Sequence, residues 1–187
     1  GPDRLYERSG AAHNVLQLGS IKGSQIQWIE PVEVWGGFRA GRKANPLDRA
    51  CGQHEAGRFW ATGSHDGFKR YGASHLRRIE LKVGSQGLLL LSLNEQISCR
   101  RPMAWRQWWH LGPNLPEDLL NPLFQQLNQL GPVDVSWHNT WFSTGFGQRQ
   151  PRRSLCFSGQ LPPGEHEIIQ LVPLPITAVS DAPSLAG

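Results

Sequence analysis

Apolar residues recur at every second position through most of the chain, as in Ile26 and Trp28 set among Gln25 and Gln27, or Ile79, Leu81 and Val83 set among Glu80 and Lys82. A period of two marks strands with one face buried and one face wet. The same pattern, bounded by Gly, Pro, Asn or Ser clusters, predicts strands over 14–18, 58–62, 76–83, 88–97, 103–110, 133–141, 154–158 and 167–172. Short strands without intervening helices predict an all-β, antiparallel sandwich. One segment departs from this period. Asn121-Pro-Leu-Phe-Gln-Gln-Leu-Asn-Gln-Leu-Gly131 has a capping Asn, Pro at the first helical position, apolar Leu123, Phe124, Leu127 and Leu130, and a terminal Gly. It predicts one short helix near 121–131, with its Gln-rich face toward solvent.

Within 103–110, Trp105 and Trp109 fall on one face of the strand and Trp108 on the other, and one of those faces belongs to the core. The run Leu88-Leu-Leu-Leu91 is a core strand at most, because no apolar stretch approaches the ~20 residues needed to cross a bilayer. No repeat or internal boundary is visible. The expected organisation is therefore a single sandwich domain over 1–179 and an Ala/Ser/Pro-rich tail over 180–187 that frays. There is neither an initiating Met nor a signal peptide, so the natural N-terminus is expected upstream of Gly1.

Composition fits this picture, since 187 residues with 39% hydrophobic and 18% charged content can enclose one core. Eight Trp, 21 Gly and 14 Pro suit short strands joined by tight turns, and an exposed indole is a platform for a sugar ring. The net charge of +4 favours anionic partners without identifying one. Its basic residues are dispersed, with no basic helix and no nucleic-acid motif, which argues against nucleic acid as the partner. Cys51, Cys99 and Cys156 form no Cys-x-x-Cys pair, so they read as free or buried thiols, one disulfide remaining open.

Seven His invite a metal, but none falls in a His-x-x-x-His or His-Glu-x-x-His arrangement. By spacing alone His13, next to Asn14, is a polar residue at a strand end rather than a ligand. His65-Asp-Gly-Phe68 reads as a tight turn with structural roles for His65, Asp66 and His75; a metal site joining them to His54 would need converging geometry. Tyr6 and Tyr71 are the only phenols, which makes Tyr6 the catalytic candidate inside the chain, against the plainer reading that it packs at a strand start. In Trp35-Gly-Gly-Phe38 the two Gly let the strand bend, so Trp35 is either a stacking face for sugar or a core indole. Arg8, Arg39 and Arg42 can grip carboxylate or sulfate bidentately, or serve as surface charges.

Taken together, the runs Arg4-Leu-Tyr-Glu-Arg-Ser-Gly-Ala-Ala-His-Asn14, Glu33-Val-Trp-Gly-Gly-Phe-Arg39, Arg42-Lys-Ala44, His65-Asp-Gly-Phe68 and His75-Leu-Arg-Arg78 resemble the heparinase II/III family of polysaccharide lyases, in its C-terminal β-sandwich only. Departures are mild: Val15 stands where Thr commonly follows His-Asn, Gly10 and Ala11 replace a Thr-rich approach, and Phe68 replaces Tyr.

The resemblance implies that the complete protein cleaves uronate-containing, anionic polysaccharide by β-elimination. It aligns His13 with the third ligand of a zinc ion whose other ligands, a His and an Asp, lie upstream. A catalytic His, a Tyr and an Asn or His pair would come from that upstream segment and from a preceding α/α-toroid domain. In this chain the resemblance leaves a cleft wall, with Arg8, Trp35, Arg39 and Arg42 as substrate-binding candidates and an incomplete zinc site at His13. It also implies a periplasmic or secreted setting. The rival expectation is a sandwich that binds carbohydrate or acts as a scaffold without chemistry of its own.

Overall fold

The period-two segments pair edge to edge in the computed structural model, which describes residues 2–35, 39–41, 43–55, 57–84, 88–112, 117–121, 123, 132–145 and 148–175. Before the first strand stand a one-and-a-half-turn helix, α1 (Pro2–Glu7), and a 3-10 turn, Gly10–Ala12. The strands are β1 (Leu16–Lys22), β2 (Gln25–Trp28), β3 (Val34–Trp35), β4 (Arg39–Ala40), β5 (Pro46–Glu55) and β6 (Arg58–His65). They continue as β7 (Ala73–Val83), β8 (Leu88–Cys99), β9 (Met103–His110), β10 (Asp134–Gly145), β11 (Gln148–Leu161) and β12 (Gly164–Pro175).

One five-stranded sheet has the order β10-β11-β9-β1-β2 and the other β12-β8-β7-β6-β5, while β3 and β4 pair apart from both. Every pairing is antiparallel. The fold is the all-β sandwich that the alternation predicts. Its core joins Leu16, Leu18, Trp105, Leu155 and Phe157 of the first sheet to Ile97, Ile168 and Val172 of the second. Trp105 is buried and Trp109 packs against the same core, whereas Trp108 stacks on His110 at 5.7 Å, a side chain two residues on and hence on the same outer face. The indoles of β9 thus divide between its two faces as the alternation predicts.

The strand β5 and the helix α1 escape the sequence pattern for physical reasons. Every residue of β5 is exposed, so burial has imprinted no apolar face on it, and its register is interrupted twice. Such irregularities on an edge strand hinder pairing with a further chain. Helix α1 has only six residues, too few for a helical period to show. The helix expected over 121–131 lies outside the described residues except for Asn121 and Leu123, and the expected tail over 180–187 lies wholly outside them. Among the described residues no helix is long and apolar enough to cross a membrane. The three cysteines are free, with Cys99 and Cys156 buried; burial pushes the Cys156 thiol up to about 11.

Inward positions of the second sheet are not all apolar. Along β8 the buried series Leu89, Leu93, Ile97 contains Glu95 in the same phase, with Arg77 beside it on β7. This buried charge borders the cleft that follows.

Candidate functional site

The segment from Glu7 to Val15 is a tight loop whose shape is fixed by its own bonds. Ser9 donates from both its amide and its hydroxyl to the Tyr6 carbonyl, at 2.9 and 2.8 Å. The amides of Ala12 and His13 then donate to the carbonyls of Ser9 and Gly10, closing the 3-10 turn. Small residues suit the place, because a Cβ on Gly10 would lie 2.5 Å from the Gln17 amide nitrogen. The Gly10 amide donates to Glu30 at 3.0 Å, and Gln17 donates to the same carboxylate at 2.8 Å. His13 ends the turn and is exposed. Its Nε2 lies 3.0 Å from the Glu7 carbonyl. A carbonyl can only accept, so Nε2 carries the proton and Nδ1 of a neutral His13 keeps a free lone pair.

This loop forms one side of a cleft of about 370 Å³ at the margin between the two sheets. Arg8, Gly10, His13, Gln17 and Glu30 line it on one side, and Gly63, Ser64, His65, Phe68, His75 and Arg77 on the other. His65 ends β6 and caps the following 3-10 turn, Asp66–Tyr71, by accepting the Gly67 amide on Nδ1 at 3.1 Å. The proton of neutral His65 therefore sits on Nε2. Burial and the neighbouring His75 lower its pKa, against a smaller opposing pull from Asp66. Near neutral pH it is accordingly an uncharged hydrogen-bond donor.

The turn below it is built by Asp66, which accepts from the Asn45 amide at 2.7 Å and from the Asn45 side chain at 2.8 Å. Those bonds hold the Asp66 carboxyl below its ordinary pKa. Gly67 is forced by space: an added Cβ would meet Pro31 Cβ at 2.9 Å, Ala44 Cβ at 3.0 Å and His65 Nδ1 at 3.0 Å. Gly67→Ala is expected to destabilise the fold by about 1–3 kcal/mol through overpacking and to disturb the His65 tautomer. Thermal unfolding and imidazole nitrogen shifts would check it; an unchanged melting temperature would show that the turn yields.

Behind the cleft wall Glu95 is completely buried. It accepts from His75 Nε2 at 2.7 Å, from Arg77 through two nitrogens, and from Gln107 of the opposite sheet at 3.1 Å. Burial alone would raise its pKa, but the bonds from His75 and Arg77 together with their charge outweigh that and hold it below its usual value. Arg77 also reaches out to the Asn14 carbonyl at 2.7 Å, tying the His13 loop to the second sheet.

The structure thus brings His13 and Arg8, two of the residues singled out in the sequence, to one cleft. It does not bring Tyr6 there. That side chain lies on α1 rather than at a strand start, with its ring 5.6 Å from Trp141 and its buried hydroxyl near Arg152. Trp35 and Arg39 face one another across the β3–β4 pair, but their side chains, and the whole of Arg42, lie outside the described residues. His54 stands apart from His65 and His75: it stacks on Trp60 at 5.7 Å and meets Arg78 at 3.2 Å. Among the described residues no three His, Cys, Asp or Glu side chains gather into a metal-holding group. His13 offers one imidazole nitrogen, and the described residues do not by themselves fit a zinc ion. Glu95 and Glu30 were not anticipated as site residues. The first carried a legible signal, a carboxylate in the inward phase of an apolar strand; for the second, alone after β2, no local pattern exists.

With the sandwich and its cleft in place, the comparison with known proteins is direct. The chain belongs to the heparinase II/III-like family, whose model for the C-terminal domain matches residues 1–171. Among solved structures it is similar to the heparan sulfate lyase HepC from Pedobacter heparinus, at 12% identity and a TM-score of 0.47 over 71% of this chain and 22% of that one. A mutant of the same lyase gives 12% identity and a TM-score of 0.48 over the same shares. A heparinase III gene product gives 11% identity and a TM-score of 0.46 over 95% of this chain and 26% of that one. The chain therefore spans about a quarter or less of the length of these structures. No curated protein matches it.

Proposed function

We propose that this chain is the β-sandwich of a polysaccharide lyase, and that the complete protein cleaves uronate-bearing anionic glycans by β-elimination. Membership of the heparinase II/III-like family over residues 1–171 carries this reading. The cleft lined by Arg8, His13 and His65 supports it.

Elimination removes the proton α to the uronate carboxyl and expels the glycosidic oxygen from the neighbouring carbon. That proton is very weakly acidic until donors or cations neutralise the carboxylate and stabilise the enolate-like intermediate. Arg8, exposed at the cleft, has the charge and the planar fork for a carboxylate or sulfate. His65 adds a neutral Nε2 donor on the opposite side. In this proposal Trp35, Arg39 and Arg42 extend the wall, His13 lends Nδ1 to a zinc ion completed by ligands from upstream, and the catalytic groups come from upstream and from an α/α-toroid domain. A sandwich domain over 1–179, a tail after it, and a periplasmic or secreted location belong to the same proposal.

One observation favours the rival reading of a binding wall without chemistry. Three of the polar groups lining the cleft, Glu30, His75 and Arg77, are already engaged in internal bonds. The test is made on the complete protein with zinc, incubated separately with heparan sulfate, heparin and alginate, following the ultraviolet absorbance of the new carbon–carbon double bond. The expected result is unsaturated uronate from one of these, with Arg8→Ala lowering kcat/KM by about tenfold. If no glycan yields product, the lyase reading fails; if glycans are retained on an affinity column without cleavage, the binding module replaces it.

A further inference from the structure

The loop that carries His13 is held from below by a chain of polar groups on the first sheet that the cleft itself does not use. His110, on β9, places Nε2 3.0 Å from the Ala11 carbonyl and Nδ1 2.6 Å from the Ser154 hydroxyl. Ser154 is 2.5 Å from the Thr140 hydroxyl, and Arg152 Nε donates to Thr140 at 3.3 Å. The same guanidinium donates from Nη2 to the Ala12 carbonyl at 3.3 Å, and the His110 amide donates to Asn14 Oδ1. His110 and Ser154 are buried and face each other in register across β9 and β11. Thr140 and Arg152 face each other across β10 and β11.

The direction of every proton in this chain is determined. The Ala11 carbonyl can only accept, so Nε2 of His110 carries hydrogen and Nδ1 of the neutral ring is bare. Ser154 must donate to that Nδ1, which spends its single hydrogen. Thr140 therefore donates to Ser154 and accepts from Arg152. The polarity runs one way, from a fixed cation through two hydroxyls and an imidazole to the backbone of the loop, an arrangement in which each bond strengthens the next.

We infer that Arg152, Thr140, Ser154 and His110 form a positioning relay that fixes the Ala11–Asn14 loop, and with it the place of His13 in the cleft, where the bond to the Glu7 carbonyl leaves Nδ1 bare. Two adjacent carbonyls, Ala11 and Ala12, are gripped by its two ends, and the Asn14 side chain is gripped by the His110 backbone. Arg77 grips the Asn14 carbonyl from the other sheet. The loop thus cannot rotate His13 away without breaking bonds to both sheets. None of the four relay residues lines the cleft, so they act on it through the loop alone. The functional consequence rests on the reading of the cleft as the glycan site; the positioning itself does not.

Thr140→Val removes the hydroxyl with little change of shape on a strand, and Thr140→Ser restores it. Ser154→Ala removes the central hydroxyl and is the stronger variant. Imidazole nitrogen NMR and amide hydrogen exchange are recorded on the chain at neutral pH. In Thr140→Val and Ser154→Ala the amides of Ala12 and His13 are expected to exchange at least tenfold faster, with His13 no longer wholly protonated on Nε2, while His110 keeps its proton on Nε2 and in Ser154→Ala its Nδ1 resonance shifts as it loses its donor. Core amides of β8 should be unaffected, and Thr140→Ser should behave as the wild type. Unchanged His13 nitrogens and unchanged loop exchange in folded Thr140→Val would overturn the relay. So would equal acceleration of loop and core amides, since that is general destabilisation. In the complete protein the same variants should reduce turnover of whichever glycan is cleaved. Should the loop loosen while no glycan is cleaved even by the wild type, the relay stands and the lyase reading falls.

Discussion

Replacing Glu95 by alanine is expected to remove about 3–5 kcal/mol of folding stability, enough to unfold a marginal domain of this size near physiological temperature. The carboxylate is fully buried and is the acceptor on which His75, Arg77 and Gln107 converge. Truncation leaves a guanidinium, an imidazole and an amide facing an empty space where water had been excluded. Glu95→Gln keeps the shape but replaces one acceptor oxygen by a donor that opposes the donors already there, so it too should be costly. The charge rather than the volume is at issue. A double variant, Glu95→Leu with Arg77→Met, removes both members of the pair and should be less destabilising than Glu95→Leu alone. Urea denaturation of the four proteins decides the matter. A loss below about 1 kcal/mol for Glu95→Ala would mean that water reaches the pocket and that the cluster is not structurally required.

That same cluster links stability to the site. Arg77 divides its guanidinium between Glu95 and the Asn14 carbonyl. Loss of Glu95 frees Arg77 to swing, so the His13 loop should loosen even in variants that remain folded. A buried salt bridge is weak evidence for stability in general. Here its geometry has a further consequence: through Arg77 it anchors the His13 loop to the second sheet.

How much of this was legible beforehand depends on which force shaped each residue. The limits of β9 coincide with the apolar run 103–110, because that strand is central and buried on its inner face. The strand β5 was invisible, since an exposed edge strand that buries neither face imposes no alternation on its side chains. Glu95 was readable in principle as a carboxylate in phase with Leu93 and Ile97, yet nothing local reveals that Arg77 and Gln107 satisfy it. His13 could be placed by its resemblance to a family motif. Its environment could not, for the bond that anchors the Ala11 carbonyl of its loop comes from His110, 99 residues away from Ala11. Local rules specify elements, whereas a site is assembled from long-range pairings that leave no periodic trace.

Acidification should weaken the protein before its carboxylates begin to titrate, and His110 is the main reason. Burial, with the nearby charge of Arg152, lowers its pKa from 6.5 to about 4. Between those limits the unfolded chain binds a proton that the native state refuses. Stability is therefore fully present above about 6.5 and falls as the pH drops toward about 4, by roughly 2 kcal/mol after allowance for solvent screening. His65, lowered by burial and His75, acts in the same direction. Glu95 follows at lower pH: because its pKa is depressed in the native state, its contribution begins to be lost once the pH falls below the ordinary carboxylate value. His110→Gln cannot titrate and so isolates the first step. Its urea midpoint, measured from pH 7 to pH 4, should fall less steeply than that of the wild type, although the variant starts from a lower value because its amide cannot reproduce both bonds of the imidazole. Parallel curves would show that the buried imidazole is not the group that gives way. A steeper wild-type curve would identify proton entry at Nδ1, against the Ser154 hydroxyl, as the event that breaks the polarity of the relay and weakens the fold.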